Sequence, residues 1–206
     1  MAELTRPGRS VGGRIGVREL ATVHGLAIDR VALHGPGTSH ESLGIYKSPD
    51  VSTEAMGGVP TFAKLVSMVA KVASDNAITL GARLAFATTP DMAAKLMTVL
   101  VASAAGSEVI WTGTVLDGKV ANYPAAASTQ LSSTMSTLEA SGGSEHGIIF
   151  GKWNDLIIGL WGALELVVAP FTYARRGLIS VTSFQMADIA VRHGESFCVA
   201  TGATAS

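Results

Sequence analysis

A few short patterns in this chain hold residue types that can do chemistry. Gly113 to Val120 reads Gly-Thr-Val-Leu-Asp-Gly-Lys-Val, one residue away from a phosphate-cradling loop. Such a loop ends in Ser or Thr, whose hydroxyl holds magnesium. Here Val120 takes that place and no long helix follows, so the stretch reads as a hairpin turning at Asp117-Gly118. Gly142-Gly143-Ser144-Glu145-His146 looks like a nucleophile elbow whose last glycine is displaced to Gly147. An elbow needs a strand before it and a helix after it. A Ser/Thr/Gly-rich loop, Gln130 to Gly147, surrounds it instead.

The five histidines, His24, His34, His40, His146 and His193, show no zinc-like pairing, and Cys198 is the single cysteine. His24 reads as a helix-face residue, and His34 as a partner for the C-terminal end of the same helix. Glu19 with Asp29, and Asp188 with Glu195, are the only carboxylates that look paired, and their separations carry no acid–base logic. Trp111, Trp153 and Trp161 are too scattered for a stacking platform and read as core or contact residues. No catalytic, cofactor-binding or metal site is assigned.

Composition points away from several partners. The chain has 206 residues, 48% of them hydrophobic, with a net charge of −1. That balance gives no global attraction to nucleic acid, so no specific nucleic-acid sequence is expected as a partner. Charged residues are 15%, where a quarter is usual. Mean hydropathy is +0.37. So apolar a chain either has a large core for its length or buries surface against copies of itself, and the second reading is favoured. One cysteine excludes an internal disulfide, and Cys198 reads as a small buried apolar residue. Met1 to Gly16 has no apolar leader-like core, and the longest apolar run, Leu156 to Phe171, contains Glu165 and is too short for a bilayer. No membrane partner and a cytoplasmic location are expected.

The elements follow from periodicity. Met1 to Gly16, rich in Gly and Arg, reads as a flexible or extended segment. Val17 to Leu33 reads as a helix with Val17, Leu20, Ala21, His24, Ala27, Ile28 and Val31 on one face, stopped by Gly35-Pro36-Gly37. Pro60 to Ala73 is the clearest amphipathic helix, with Phe62, Leu65, Val66, Val69, Val72 and Ala73 at helical spacing. Leu84 to Thr88 is a short strand, and Thr89-Pro90-Asp91 caps a helix to about Thr98. Val109 to Thr112 and Val120 to Ser128 read as strands. Leu156 to Val168 is almost unbroken in apolar and small residues. Leu178 to Arg192 alternates, with Ile179, Val181, Ser183, Gln185, Ala187, Ile189 and Val191 on one face. Fifteen residues at about 3.3 Å each span roughly 50 Å, where ordinary strands have about 5–6 residues. Their junction, Pro170 to Gly177, carries Phe171, Tyr173, Arg175 and Arg176. A solvated turn favours Asn, Asp, Gly and Ser, whereas aromatic and Arg residues are enriched at interfaces. Two readings stand: a turn whose aromatics cover the strand ends, or a candidate subunit interface formed by these four residues.

The motifs of this region carry a resemblance. Gly151-Lys152-Trp153, Ile158-Gly159-Leu160-Trp161-Gly162-Ala163-Leu164-Glu165, Pro170-Phe171, Asp188-Ile189-Ala190-Val191-Arg192-His193 and Ser196-Phe197 resemble, in order and spacing, the C-terminal part of the Hong Kong 97-like phage major capsid proteins. Asp29-Arg30 before the Gly-rich turn resembles the end of that family's spine helix, and Ser42-Leu43-Gly44-Ile45 stands where a Pro-x-Gly-Ile turn is usual. The resemblance runs from about Val17 to the end and implies an α+β fold of that class. Residues 17–35 with 156–192 would form a peripheral-like lobe of spine helix and long hairpin. Residues 36–155 would form an axial-like lobe, 193–206 a C-terminal strand and tail, and 1–16 a flexible segment. The family's N-terminal arm, extended loop and first half of the spine helix find little room in Met1 to Gly16, so a truncated member is expected. The implied function is structural and not enzymatic: a phage or prophage capsid subunit in the virion or host cytoplasm. Its partners would be copies of itself, in rings of five or six or in a shell. An encapsulin-type compartment shell and a small enzyme with an unrecognised site are the alternatives.

Overall fold

A helix, α1, spans Arg9–His34 and opens the described part of the chain. The computed structural model describes residues 9–38, 40–75, 78, 81–102, 106–136, 140–141, 144–169, 171–172, 174–176 and 180–205. The expectation of a non-helical segment up to Gly16 is corrected here: α1 begins at Arg9. The glycines that suggested an extended segment cost a helix only about 1 kcal/mol each relative to Ala. Leu20, His24, Ile28 and Val31 are half-buried while Ala21 and Ala27 are exposed, so the buried stripe is narrower than the expected face. The helix stops where expected. Gly35 N donates to Val31 O, Gly44 N donates to Gly35 O, and Pro36 bridges to Leu43.

The remaining elements follow in order. They are β1 (Ser52–Gly58), α2 (Phe62–Ser74), β2 (Leu84–Thr88), α3 (Pro90–Leu96), β3 (Trp111–Gly113), β4 (Asp117–Val120) and β5 (Tyr123–Ala127). Then come β6 (Met135–Ser136), β7 (Ala140–Ser141), β8 (Ile148–Lys152), β9 (Leu156–Ala169), β10 (Ser180–Val191) and β11 (Phe197–Ala203). A seven-stranded sheet runs in the order β1-β11-β8-β2-β5-β4-β3, while β9 with β10 and β6 with β7 form two-stranded sheets. The loop expected over Gln130 to Gly147 therefore holds one small strand pair.

The chain separates into two compact units. One comprises Met1–Asp29 with Gly159–Asp188, the other Arg30–Ile158 with Ile189–Ser206. The last turn of α1 falls in the second unit because Leu33 packs there with Ile45, Tyr46, Leu131, Ile149, Phe197 and Val199. β11, in the segment read as a C-terminal strand and tail, lies inside the large sheet, between β1 and β8.

Both faces of that sheet are covered at β8 and β11, and the strand sequences say why. Successive side chains of a strand point to opposite faces. In β8, Ile148 and Phe150 join the cluster built by Leu65, Met68 and Val72 of α2 and Met92 and Leu96 of α3. Ile149 between them joins the cluster around Leu33 and Tyr46. In β11, Cys198 and Ala200 take the first side, and Phe197 and Val199 the second. Strands buried on both faces lose alternation and read as continuous apolar runs. Cys198 is fully buried, and that burial pushes its thiol up to about 12.

Two expectations of detail are corrected. Asp117-Gly118 is no turn; it starts β4, with Gly118 opposite Gly113. A Cβ on Gly118 would lie 2.3 Å from Trp111 Nε1, so the glycine marks a close approach of the indole. The tight turn is Ala121-Asn122, both at positive φ (50° and 66°), the requirement of a type I′ hairpin. Helix α2 starts at Phe62, after Thr61 and not at Pro60, and its buried seam is Leu65, Met68 and Val72. Val66 lies about 100° round the helix from Leu65 and is exposed, while Phe62 and Val69 flank the seam half-buried. Helix α3 matches its expected start: Met92 N donates to Thr89 Oγ1 at 3.3 Å.

Leu65 is fully buried. Leu65→Ala is expected to destabilise the fold by about 2–5 kcal/mol, read from urea unfolding monitored by circular dichroism. A loss under about 0.5 kcal/mol would contradict its core position.

Candidate functional site

The candidate site is the surface of β9 and β10, and a buried carboxylate lies in the chain just before them. Asp155 precedes β9 and is buried. Ser196 Oγ donates to Asp155 Oδ2 at 2.7 Å, Lys152 Nζ lies 3.3 Å from the same oxygen, and Arg192 N donates to Asp155 O at 2.8 Å. Burial alone would push the Asp155 carboxyl up. The donors Ser196 and Lys152, with the charges of Lys152 and His193, outweigh it and hold the group below its ordinary value. The carboxylate thus ties the residue before one long strand to residues after the other.

In the other unit, β9 and β10 form a two-stranded sheet, and α1 meets β10 where His24 Nε2 and Ser183 Oγ lie 2.8 Å apart. Strand β9 has 14 residues, about 46 Å at 3.3 Å each. Gly162 interrupts it at φ 72°, where the Gln185 amide donates to the carbonyls of Trp161 (3.4 Å) and Gly162 (3.5 Å). Much of the rest of the surface is apolar and exposed, with Glu165, Thr182 and Asp188 exposed among it. Leu160, Trp161, Val168, Val181 and Phe184 are exposed, and Met186 is 73% exposed. At the junction Phe171 is 88% exposed, and Arg175 and Arg176 are exposed within a short 3-10 turn, Ala174–Arg176. Pro170, Tyr173, Gly177, Leu178 and Ile179 lie outside the described residues. Large apolar side chains exposed in such number along one ribbon are the kind of surface that marks an interaction site.

The other sequence candidates resolve into packing. Lys119 of the phosphate-loop lookalike pairs with Thr112 inside the β3–β4 ladder. Gly142 and Gly143 of the elbow lookalike lie outside the described residues. Its His146 Nδ1 lies 2.8 Å from Thr89 Oγ1, which also caps α3. Burial lowers the His146 pKa, against the pull of Asp91. Trp111 is buried and Trp153 is half-buried against Phe197, its Nε1 donating to Ala85 O; Trp161 alone of the three is exposed. An open cavity of about 480 Å³ is lined by Arg30, His34, Glu41, Gln130, Leu131 and Ser132, and His34 Nε2 accepts there from Ser132 N. Among the described residues no three His, Cys, Asp or Glu side chains group closely enough to hold a metal ion, and no helix is long and apolar enough to cross a membrane.

The comparisons with known proteins fall on the same architecture. The profile of the phage capsid family matches residues 17–202. The chain belongs to that family. No curated protein matches its sequence. Among solved structures it is similar to the capsid of an empty GTA particle computed with C5 symmetry, at 15% identity and TM-score 0.61, covering 93% of this chain and 66% of that one. A chain of Gordonia phage Cozz matches at 17% identity and TM-score 0.61, over 98% of this chain and 66% of that one. The holo-SrpI encapsulin complex from Synechococcus elongatus matches at 13% identity and TM-score 0.61, over 98% and 69%. The two capsid matches leave this chain spanning just under two thirds of their length. The shared fold is the Hong Kong 97-like α+β class expected from the motifs.

Asp155 yields a signed expectation. Its folded pKa is depressed, so its contribution is present above the unfolded value near 4 and fades as pH falls through the folded value. Ser196→Ala is expected to cost about 1.5–3 kcal/mol at pH 7. The difference from wild type should shrink in unfolding titrations below about pH 4, as protonation removes the charge that the hydroxyl serves.

Proposed function

We propose that this chain is a capsid shell subunit that self-associates through its long hairpin, in rings of five or six and from there in closed particles. The observation that carries this reading is the exposed apolar surface of β9 and β10 together with Phe171, which is 88% exposed. A lone chain in water would hold that surface at a cost of about 25 cal/mol per Å², and copies of the same chain would remove it. The similarity to shell-forming proteins supports the same reading. In it, the unit of Met1–Asp29 with Gly159–Asp188 acts as the peripheral-like lobe, and the sheet unit as the axial-like lobe. The subunit is made in the host cytoplasm, reads no specific nucleic-acid sequence, binds no membrane and catalyses no reaction.

The contact at the tip is assigned to Phe171, Tyr173, Arg175 and Arg176. Arg175 and Arg176 supply directional donors beside an aromatic ring, the combination enriched where interfaces concentrate their energy. A compartment shell of the encapsulin type is a second reading, supported by the match to the holo-SrpI complex. A defined protein cargo inside purified particles would favour it, and viral DNA would favour the first.

The test is the Arg175→Glu/Arg176→Glu variant. Both residues are exposed, so the subunit should keep its melting profile. Assembly, followed by light scattering and electron microscopy, is expected to be lost or to become salt-dependent. Unchanged particles would remove the tip from the contact. A wild-type chain that stays monomeric at high concentration would overturn the shell reading itself.

A further inference from the structure

Among the described residues the seven-stranded sheet has two edges that no further strand pairs, β1 and β3. The β3 edge has three residues and ends at Gly113, with φ 113°, so it offers little to an incoming strand. The β1 edge has seven residues and would be a template for strand addition. Carbonyls along it are already taken. Lys71 Nζ donates to Thr53 O, and Lys64 Nζ donates to Ala55 O and, at 2.9 Å, to Met56 O. Alternate residues of a strand send their carbonyls to the same side, so Thr53 and Ala55 are the pair that an added strand would use.

The arrangement is held on purpose-built geometry. Lys64 and Lys71 are seven residues apart, two turns on one face of α2. An ammonium has three donors, and Lys71 spends another on Glu54 at 2.7 Å, while Ser67 Oγ reaches the same carboxylate oxygen at 3.1 Å. The hydrogen bond from Lys71, against some burial, holds the Glu54 carboxyl below its ordinary range, which keeps the anchor charged. The long strands differ: β9 carries Glu165 and β10 carries Asp188 as their only charges, and neither contains a lysine.

We propose that Lys64 and Lys71 guard the open edge of β1, occupying its outward carbonyls so that a strand from a second copy cannot extend the sheet there. The guard leaves the hairpin surface as the place where copies meet. It goes beyond the shell reading and stands without it, because an unguarded edge would misassociate in a monomer as well.

The experiment compares variants of the full chain by thioflavin T fluorescence, light scattering and electron microscopy. Lys64→Met/Lys71→Met keeps the aliphatic stems and removes the donors. It should form thioflavin-positive, strand-rich aggregates about tenfold faster than wild type, the scale of one ladder hydrogen bond gained. Lys64→Arg/Lys71→Arg keeps donors and should behave as wild type. Adding Thr53→Pro to the Met pair removes the outward N–H and should restore solubility. A folded Met pair as soluble as wild type overturns the proposal, and so does aggregation that Thr53→Pro leaves unchanged. If the pair does not fold, Lys64→Met alone decides, because the Glu54–Lys71 pair is then intact. A several-fold rise in aggregation supports the guard, and no rise overturns it.

Discussion

A two-stranded ribbon has two faces and two edges, and a short chain has little left with which to cover them. That constraint governs this protein. β9 and β10 together hold 26 residues, 14 and 12, nearly all of them apolar or small. The sheet unit covers its two faces at β8 and β11 and has its own clusters, with the large apolar side chains of β2, β8 and β11 already matched to α2, α3 and the end of α1. The ribbon's apolar surface is therefore surplus to the requirements of folding. It explains how a chain with 15% charged residues can be well folded and still expose Trp161, Met186 and Phe171.

Within the sheet unit, Asp155 makes charge-assisted bonds, which are shorter and stronger than neutral ones. Replacing such a buried cluster by apolar groups can leave stability unchanged. Its value here is geometric: one carboxylate fixes where the chain leaves the sheet for β9 and where it returns after β10. Gly162 and Gln185 then give β9 a defined irregularity, with the amide holding the two carbonyls at the break.

Much of this was legible in the residues, and the misses have physical causes. The long strands, the α1 stop at Gly35-Pro36 and the Thr89 cap are local signals, and the structure follows them. The family resemblance rested on ordered motifs across the hairpin and was sound. Asp117-Gly118 misled because Gly has two uses: it can turn a chain, or it can leave room for a neighbour, here the Trp111 indole. The actual turn, Ala121-Asn122, lacks a glycine and so gave no signal. Met68 was passed over because a periodicity drawn through Val66 and Val69 looked as good as one through Leu65 and Val72. Only the sheet beneath α2 separates them. The bonds from Lys64 and Lys71 to β1 depend on which way a helix runs over a strand, which no local pattern encodes.

Cys198 is shielded by its place in the sheet. The thiolate is the form that attacks disulfides, alkylating agents and peroxides. A thiol pushed up to about 12 and fully buried in β11 is protonated and unreachable at neutral pH. The folded subunit can therefore meet an oxidant without forming a mixed disulfide or joining a neighbour covalently through sulfur. The same residue becomes a clock for breathing of the core. Any labelling of this one sulfur reports an opening of the sheet between β1 and β8, and its rate measures how often that happens.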